Sequence, residues 1–146
     1  MTGANRVVVG VDGSDASCDA LRWAVEQGAL TGSVVEMVTT WEYPVAYGFP
    51  TIPDADLEHN AQTVQKLALA EVDVPSGVRI VMRVVEGHPA HELVGRSSGA
   101  DLLVVGSRGR GGFAGLLLGS VSGHVCAHSA CPVVVVRHEQ AATPAA

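Results

Sequence analysis

The residues best suited to chemistry lie between Asp101 and Gly123, in the stretch DLLVVGSRGRGGFAGLLLGSVSG. Leu102 to Val105 have the composition of a short strand. Glycines follow at 106, 109, 111, 112, 115 and 119, with Arg108 and Arg110 among them, and Ser120 opens a segment of helical character. A strand, a glycine-rich loop and a Ser at a helix start form the layout in which backbone N–H groups and a helix N-terminus hold a phosphate. Glycine has no Cβ, so the chain can take φ > 0 and a ligand can come close to the backbone. A plain surface loop has the same composition, so the surrounding elements must decide between the two readings.

Those elements alternate. Arg6–Val11 (RVVVGV) is a nearly continuous apolar run, as a strand buried on both faces would be. Asp12 to Asp15 (DGSD) are turn and cap residues. Apolar residues at 20, 21, 24, 25 and 29 predict a helix from Ser17 to about Leu30, with Gly32 as its stop. Val34–Thr40 reads as a second strand, and Trp41–Asp54, with its three prolines, as a long loop. A helix is expected from about Asp56 to Val72, a third strand at Val78–Val85, and a short helix at His88–Ser97 with Pro89 in its first turn. Leu102–Val105 is the fourth strand, Ser120–His128 the last helix and Pro132–Arg137 the fifth strand. His138–Ala146 reads as a frayed tail.

This alternation predicts a single α/β domain, an open parallel five-stranded sheet with helices on both faces, Rossmann-like in plan. Two strand orders are common for such sheets, 2-1-3-4-5 and 3-2-1-4-5, and both bind ligands beyond the carboxyl ends of the strands where the order reverses. In the 3-2-1-4-5 order that point lies between strands one and four. Asp12 and Gly106, which end those strands, then face one crevice, and this favours the phosphate reading.

Nucleotide patterns narrow it further. GxxxxGK[ST] is absent, and the single lysine, Lys66, falls in an expected helix. Residues 109–114 fit GxGxxA, but they follow the fourth strand rather than the first and lack an acidic residue about 20 positions on. What remains is Gly106-x2-Gly109-x9-Gly119-Ser120.

That spaced pattern resembles the ATP-binding motif of the universal stress protein family. VVVGVDGS at 7–14 resembles the family's opening strand and acidic turn, and Cys131-Pro132 followed by VVVVR resembles its closing strand. The resemblance covers roughly residues 5–137. It implies the 3-2-1-4-5 sheet, a cytoplasmic location, and homodimers that pair the edge strand Val133, Val134, Val135 and Val136. It also implies ATP with Mg2+ as the bound group, in a nucleotide-dependent switch or interaction module of the stress response. By the same resemblance Gly10, Val11 and Asp12 end strand one beside the ribose and triphosphate, Asp12 acting through the metal ion. Thr40 meets the adenine through its backbone, although the family usually has an apolar residue there. Gly106 and Gly109 pass the ribose and phosphates, Gly119, Ser120 and Val121 offer N–H groups and a hydroxyl at the helix start, and Ser122 belongs to the same ATP-binding set. Arg108 and Arg110 could assist or could be solvated loop charges. Gly106→Asp is expected to weaken ATP binding and leave the fold intact. The segment Arg110–Leu118, with Gly111, Gly112 and Gly115, is expected to adjust when nucleotide binds. Two other readings stay open: a slow ATPase, and a binder of another adenine nucleotide such as cyclic AMP.

Composition excludes other classes. A net charge of −6 argues against general nucleic-acid binding, and no apolar run approaches the roughly 18 residues of a membrane span. The N-terminus goes straight into the first strand, so no signal peptide is expected. Three cysteines (Cys18, Cys126 and Cys131) without CxxC spacing fit a reducing cytoplasm better than a disulfide framework. His124, Cys126, His128 and Cys131 crowd the last helix and its exit. The i,i+4 histidines suit zinc in spacing, but packing and surface histidines are the expectation. His91-Glu92 lacks the second His of HExxH. Four of the six aromatics (Trp41, Tyr43, Tyr47 and Phe49) lie after strand two; they are expected to pack that loop onto the body, with capping of the base or a partner contact as alternatives.

Overall fold

The computed structural model describes residues 5–50, 55–108 and 118–138. In chain order its elements are β1 (Arg6–Gly10), α1 (Asp15–Thr31), β2 (Val34–Trp41), β3 (Val45–Ala46), β4 (Phe49–Pro50), α2 (Leu57–Ala70), β5 (Ile80–Glu86), α3 (Pro89–Ser97), β6 (Leu102–Gly106), α4 (Ser120–His128) and β7 (Val133–Val136). Five of the strands form one sheet in the order β5-β2-β1-β6-β7, every pair parallel. With the small antiparallel hairpin β3–β4 left aside, this is the expected 3-2-1-4-5 order.

The central strands are apolar because both of their faces are covered. Val7 and Val9 join Leu21, Val25, Met37 and Ala68 in a core beneath α1 and α2. Val8 faces the other way, with Val38, Leu93, Leu103, Val105 and Val125 beneath α3 and α4. Val8 and Val9 are fully buried, and burial of such a side chain contributes about 1.5–3 kcal/mol. The helix starts follow their caps. Ser14 Oγ accepts from Ser17 N–H, Asp56 from His59 N–H, and His88 Nδ1 from Ala90 N–H. Gly32, at φ 71°, ends α1 in the left-handed conformation that glycine tolerates.

Towards the amino ends of the strands lies a charge cluster. Glu36 on β2 is buried, and its carboxylate accepts from Arg6 Nη1 at 2.8 Å and Arg96 Nη1 at 2.6 Å. Arg6 also donates to the carbonyls of Arg96 and Ser98, and its N–H donates to Asp101. Burial works against the Glu36 charge, but the hydrogen bonds and positive charges of Arg6 and Arg96 outweigh it, and the carboxyl is held below its ordinary range.

Three expectations change. The segment after β2 is not all loop: β2 runs on through Trp41, and residues 45–50 fold back as a hairpin with Tyr47 at its tip at φ 53°. Its aromatics do not pack together onto the body. Trp41 and Tyr43 meet edge-to-face at 5.4 Å, whereas Tyr47 is fully exposed and Phe49 largely so. His138, expected at the start of a frayed tail, is held against α1: its Nδ1 lies 2.6 Å from Asp19 Oδ2. Gly109, Arg110, Gly111, Gly112 and Gly115 lie outside the described residues, as do residues 139–146.

Candidate functional site

At the carboxyl ends of β1, β2 and β6 a cavity of about 260 Å³ opens at the point where the strand order reverses. Its floor is apolar, from Val11, Val38, Leu93, Val105 and Val121, with the buried Ser17 beside them, and its rim is polar, from Asp12, Ser14, Thr40, Glu42 and Arg108. Ligand sites are commonly built this way, with an apolar lining and a few placed polar groups.

The turn after β1 is fixed by its own side chains. Val11 N–H donates to Val38 O at 2.9 Å, and Thr39 Oγ1 donates to Val11 O at 2.8 Å. These bonds tie the exit of β1 to β2. Gly13, at φ 85°, lets the chain reverse into α1. Asp12 Oδ1 then accepts from both the N–H and the hydroxyl of Ser14, while Ser14 Oγ caps α1 and Ser17 Oγ donates to Ser14 O. Asp12 is therefore oriented at the rim by the residues that start α1.

The other wall is the exit of β6. A Cβ on Gly106 would stand 2.8 Å from the Ala16 carbonyl carbon, so only glycine lets α1 approach β6 this closely. This corrects the expectation that Gly106→Asp would leave the fold intact, since the added side chain meets helix backbone before it meets any ligand. Ser107 O accepts from Gly119 N–H at 2.7 Å and from Ser122 Oγ at 3.0 Å. These bonds close the base of the loop between residues 107 and 119 and set the start of α4 beside β6. Gly119 has no side chain with which to cap α4. The N–H groups of Ser120, Val121 and Ser122 are first-turn donors, which an α-helix leaves without an intrahelical partner.

Of the eleven site residues expected from sequence, Gly10, Val11, Asp12, Thr40, Gly106, Arg108, Val121 and Ser122 line this cavity. Gly119 and Ser120 stand at the head of α4, next to Val121 but not among the lining residues. The Gly119 N–H, expected as a phosphate donor, is already given to Ser107 O. Gly109 lies outside the described residues. Sequence reasoning missed Ser14, Ser17, Trp41, Glu42, Gly87 and Pro89, which also line the cavity. The two serines follow Asp12 in a recognisable cap sequence, so their position was within reach. Glu42 and Pro89 carry no local signal and arrive through the longer β2 and the fold-back of α3.

Of the described lining residues, Asp12 and Glu42 are acidic and Arg108 is basic. An anionic ligand here meets carboxylates as well as the positive end of α4. A divalent cation would reconcile the two, and the oxygen donors of Asp12, Ser14 and Ser17 are the ligand type that Mg2+ takes. Among the described residues no group of three or more His, Cys, Asp or Glu side chains is placed to hold a metal ion, so such a cation would also need oxygens from the ligand.

The sequence profile of the universal stress protein family matches residues 3–137. The universal stress protein Rv2623 of Mycobacterium tuberculosis is 38% identical over 133 residues, which are 90% of this chain and 44% of that protein. The chain thus spans less than half the length of that mycobacterial relative. The universal stress protein YxiE of Bacillus subtilis is 33% identical over 146 residues, covering 91% of this chain and 99% of that one. Among solved structures, a universal stress protein crystallised in complex with cAMP is 33% identical and superposes with a TM-score of 0.60, covering 90% of this chain and 95% of that chain.

Proposed function

The chain belongs to the universal stress protein family, and from that premise we propose that it binds an adenine nucleotide in the cavity at the carboxyl ends of β1 and β6. The ligand is ATP with Mg2+, and the protein acts as a nucleotide-dependent switch or interaction module of the stress response in the reducing cytoplasm. The observation that carries this reading is the convergence of Asp12, Thr40, Gly106, Arg108, Val121 and Ser122, drawn from four separate parts of the chain, on one cavity. The apolar floor suits a base, and the head of α4 suits phosphate. Asp12 would hold Mg2+ through its carboxylate, and the ion would screen the phosphates from Asp12 and Glu42 when bound. Gly119 and Ser120 border the phosphate end, and Gly109 belongs to the same motif. Two copies pair through β7, whose four valines are each only half-buried within one chain.

A second reading has its own support. The solved relative in complex with cAMP is 33% identical, well above the level at which only the fold is shared. A cyclic monophosphate carries one negative charge and needs no metal between two carboxylates. Nucleotide released from denatured, freshly purified protein, identified by mass spectrometry, separates the readings. Intact ATP supports the switch, ADP with steady turnover supports a slow ATPase, and cyclic AMP supports the second reading. No adenine nucleotide, together with no calorimetric binding of ATP or cyclic AMP, overturns them all.

A further inference from the structure

α4 carries a feature that the nucleotide site does not use. His124 and His128 lie one turn apart on its exposed side, with ring centroids 4.4 Å apart and planes tilted by 41°. Both residues are exposed, so turning the rings about χ2 breaks only the contact between them and no core packing. The geometry points to a two-histidine site for a late first-row divalent cation, Zn2+, Ni2+ or Cu2+, on the last turn of α4. Side chains at i and i+4 share one helix face, so one nitrogen of each imidazole can reach a common ion at about 2.0–2.1 Å. Water fills the remaining coordination positions.

Three further observations favour a cation at this place. The helix (SVSGHVCAH) contains no lysine or arginine to compete with the ion. The pair stands at the helix C-terminus, where the macrodipole is negative. The face turned inward, through Ser122 and Val125, holds α4 to the body without involving either histidine. Cys126 is two residues from each histidine and falls on a different side of the helix. Cys131 lies beyond the helix end, with its N–H and carbonyl engaged by Ser129. Imidazole nitrogen selects Zn2+, Ni2+ and Cu2+ over Mg2+, so this site and the oxygen-lined nucleotide cavity take different ions.

The test titrates the tag-free chain with NiCl2 or ZnCl2 in excess MgCl2 and a non-chelating reductant that keeps the three cysteines reduced. Isothermal calorimetry and thermal melting are read for wild type, His124→Gln, His128→Gln, Cys126→Ser and His138→Gln. Gln keeps helix propensity at an exposed position, so the fold is preserved. The expected result is one ion per chain and a raised melting temperature with Ni2+ and with Zn2+, and neither with MgCl2 alone. Each α4 histidine variant should weaken binding at least about tenfold, while Cys126→Ser and His138→Gln leave it unchanged. No binding by wild type overturns the assignment. So does binding that survives both His124→Gln and His128→Gln, or that is lost instead in His138→Gln, whose ring faces Asp15 and Asp19.

Discussion

The two ends of the sheet handle charge in opposite ways. Near the amino ends, Glu36 is buried and both of its oxygens are taken by arginines of this chain. At the carboxyl ends, Asp12 and Glu42 stand beside Arg108 on the rim of a cavity, and α4 begins there without a side-chain cap. One end pairs its buried carboxylate within the chain, and at the other the charged side chains border space that a ligand can fill. Substitutions at the amino end should therefore cost stability and spare binding, whereas those at the carboxyl end should act on binding.

The largest effect is expected from Glu36→Ala. Removing it leaves two half-buried arginines facing each other, at a cost of about 3 kcal/mol, which shifts melting by about 2–4 °C per kcal/mol. Nucleotide affinity, measured by calorimetry well below the melting point, should not change. The effect also has a pH signature. Because the folded-state Glu36 carboxyl titrates below its unfolded value, its contribution is present above about pH 4.3 and is lost as pH falls through the lower folded value. The stability gap to Glu36→Ala should be full at neutral pH and close in acid.

Gly106→Val probes the boundary between the two regions. Its Cβ meets the α1 backbone at Ala16, so overpacking should cost about 1–3 kcal/mol in urea unfolding, and nucleotide affinity should fall with it. A variant of full stability would show that α1 can withdraw from β6.

Ser14→Ala is smaller. It removes the α1 cap at about 1 kcal/mol and also the hydrogen bond that the Ser14 hydroxyl donates to Asp12 Oδ1. It should weaken nucleotide binding more than its stability cost suggests, and unaltered affinity would separate the cap from the site.

The smallest effect belongs to His138. Its hydrogen bond to the Asp19 carboxylate favours the protonated ring and raises its pKa above the ordinary value, with Asp15 adding to the same direction. Its stabilising contribution is complete below about pH 6.5 and is lost as pH rises through the raised folded value. Melting curves of wild type and His138→Gln should therefore differ in mild acid and coincide at alkaline pH.

The carboxyl end was largely legible in the sequence. Its residues follow strands directly, and the spacing of Gly106, Gly119 and Ser120 records a loop that must return to β6. The amino-end cluster was not legible. Arg6, Glu36 and Arg96 are separated by 30 and 60 positions, and nothing local marks a glutamate in an apolar strand as paired. The hairpin at 45–50 escaped notice because strands of two residues carry no periodicity. The structural role of Gly106 was hidden for a related reason: the motif names the glycine, but only the fold shows that α1 occupies the space where its Cβ would be.

The central claim is that nucleotide occupies the cavity at the carboxyl ends of β1 and β6. Backbone amide NMR shifts on adding ATP with Mg2+ test it most directly. The account predicts large shifts at Val11 to Ser17, Thr40 to Glu42, Gly106 to Arg108 and Ser120 to Ser122, with Arg6, Glu36 and Arg96 unmoved. Saturating nucleotide that leaves Asp12, Gly106 and Val121 unshifted, or that shifts the amino-end cluster instead, would contradict it.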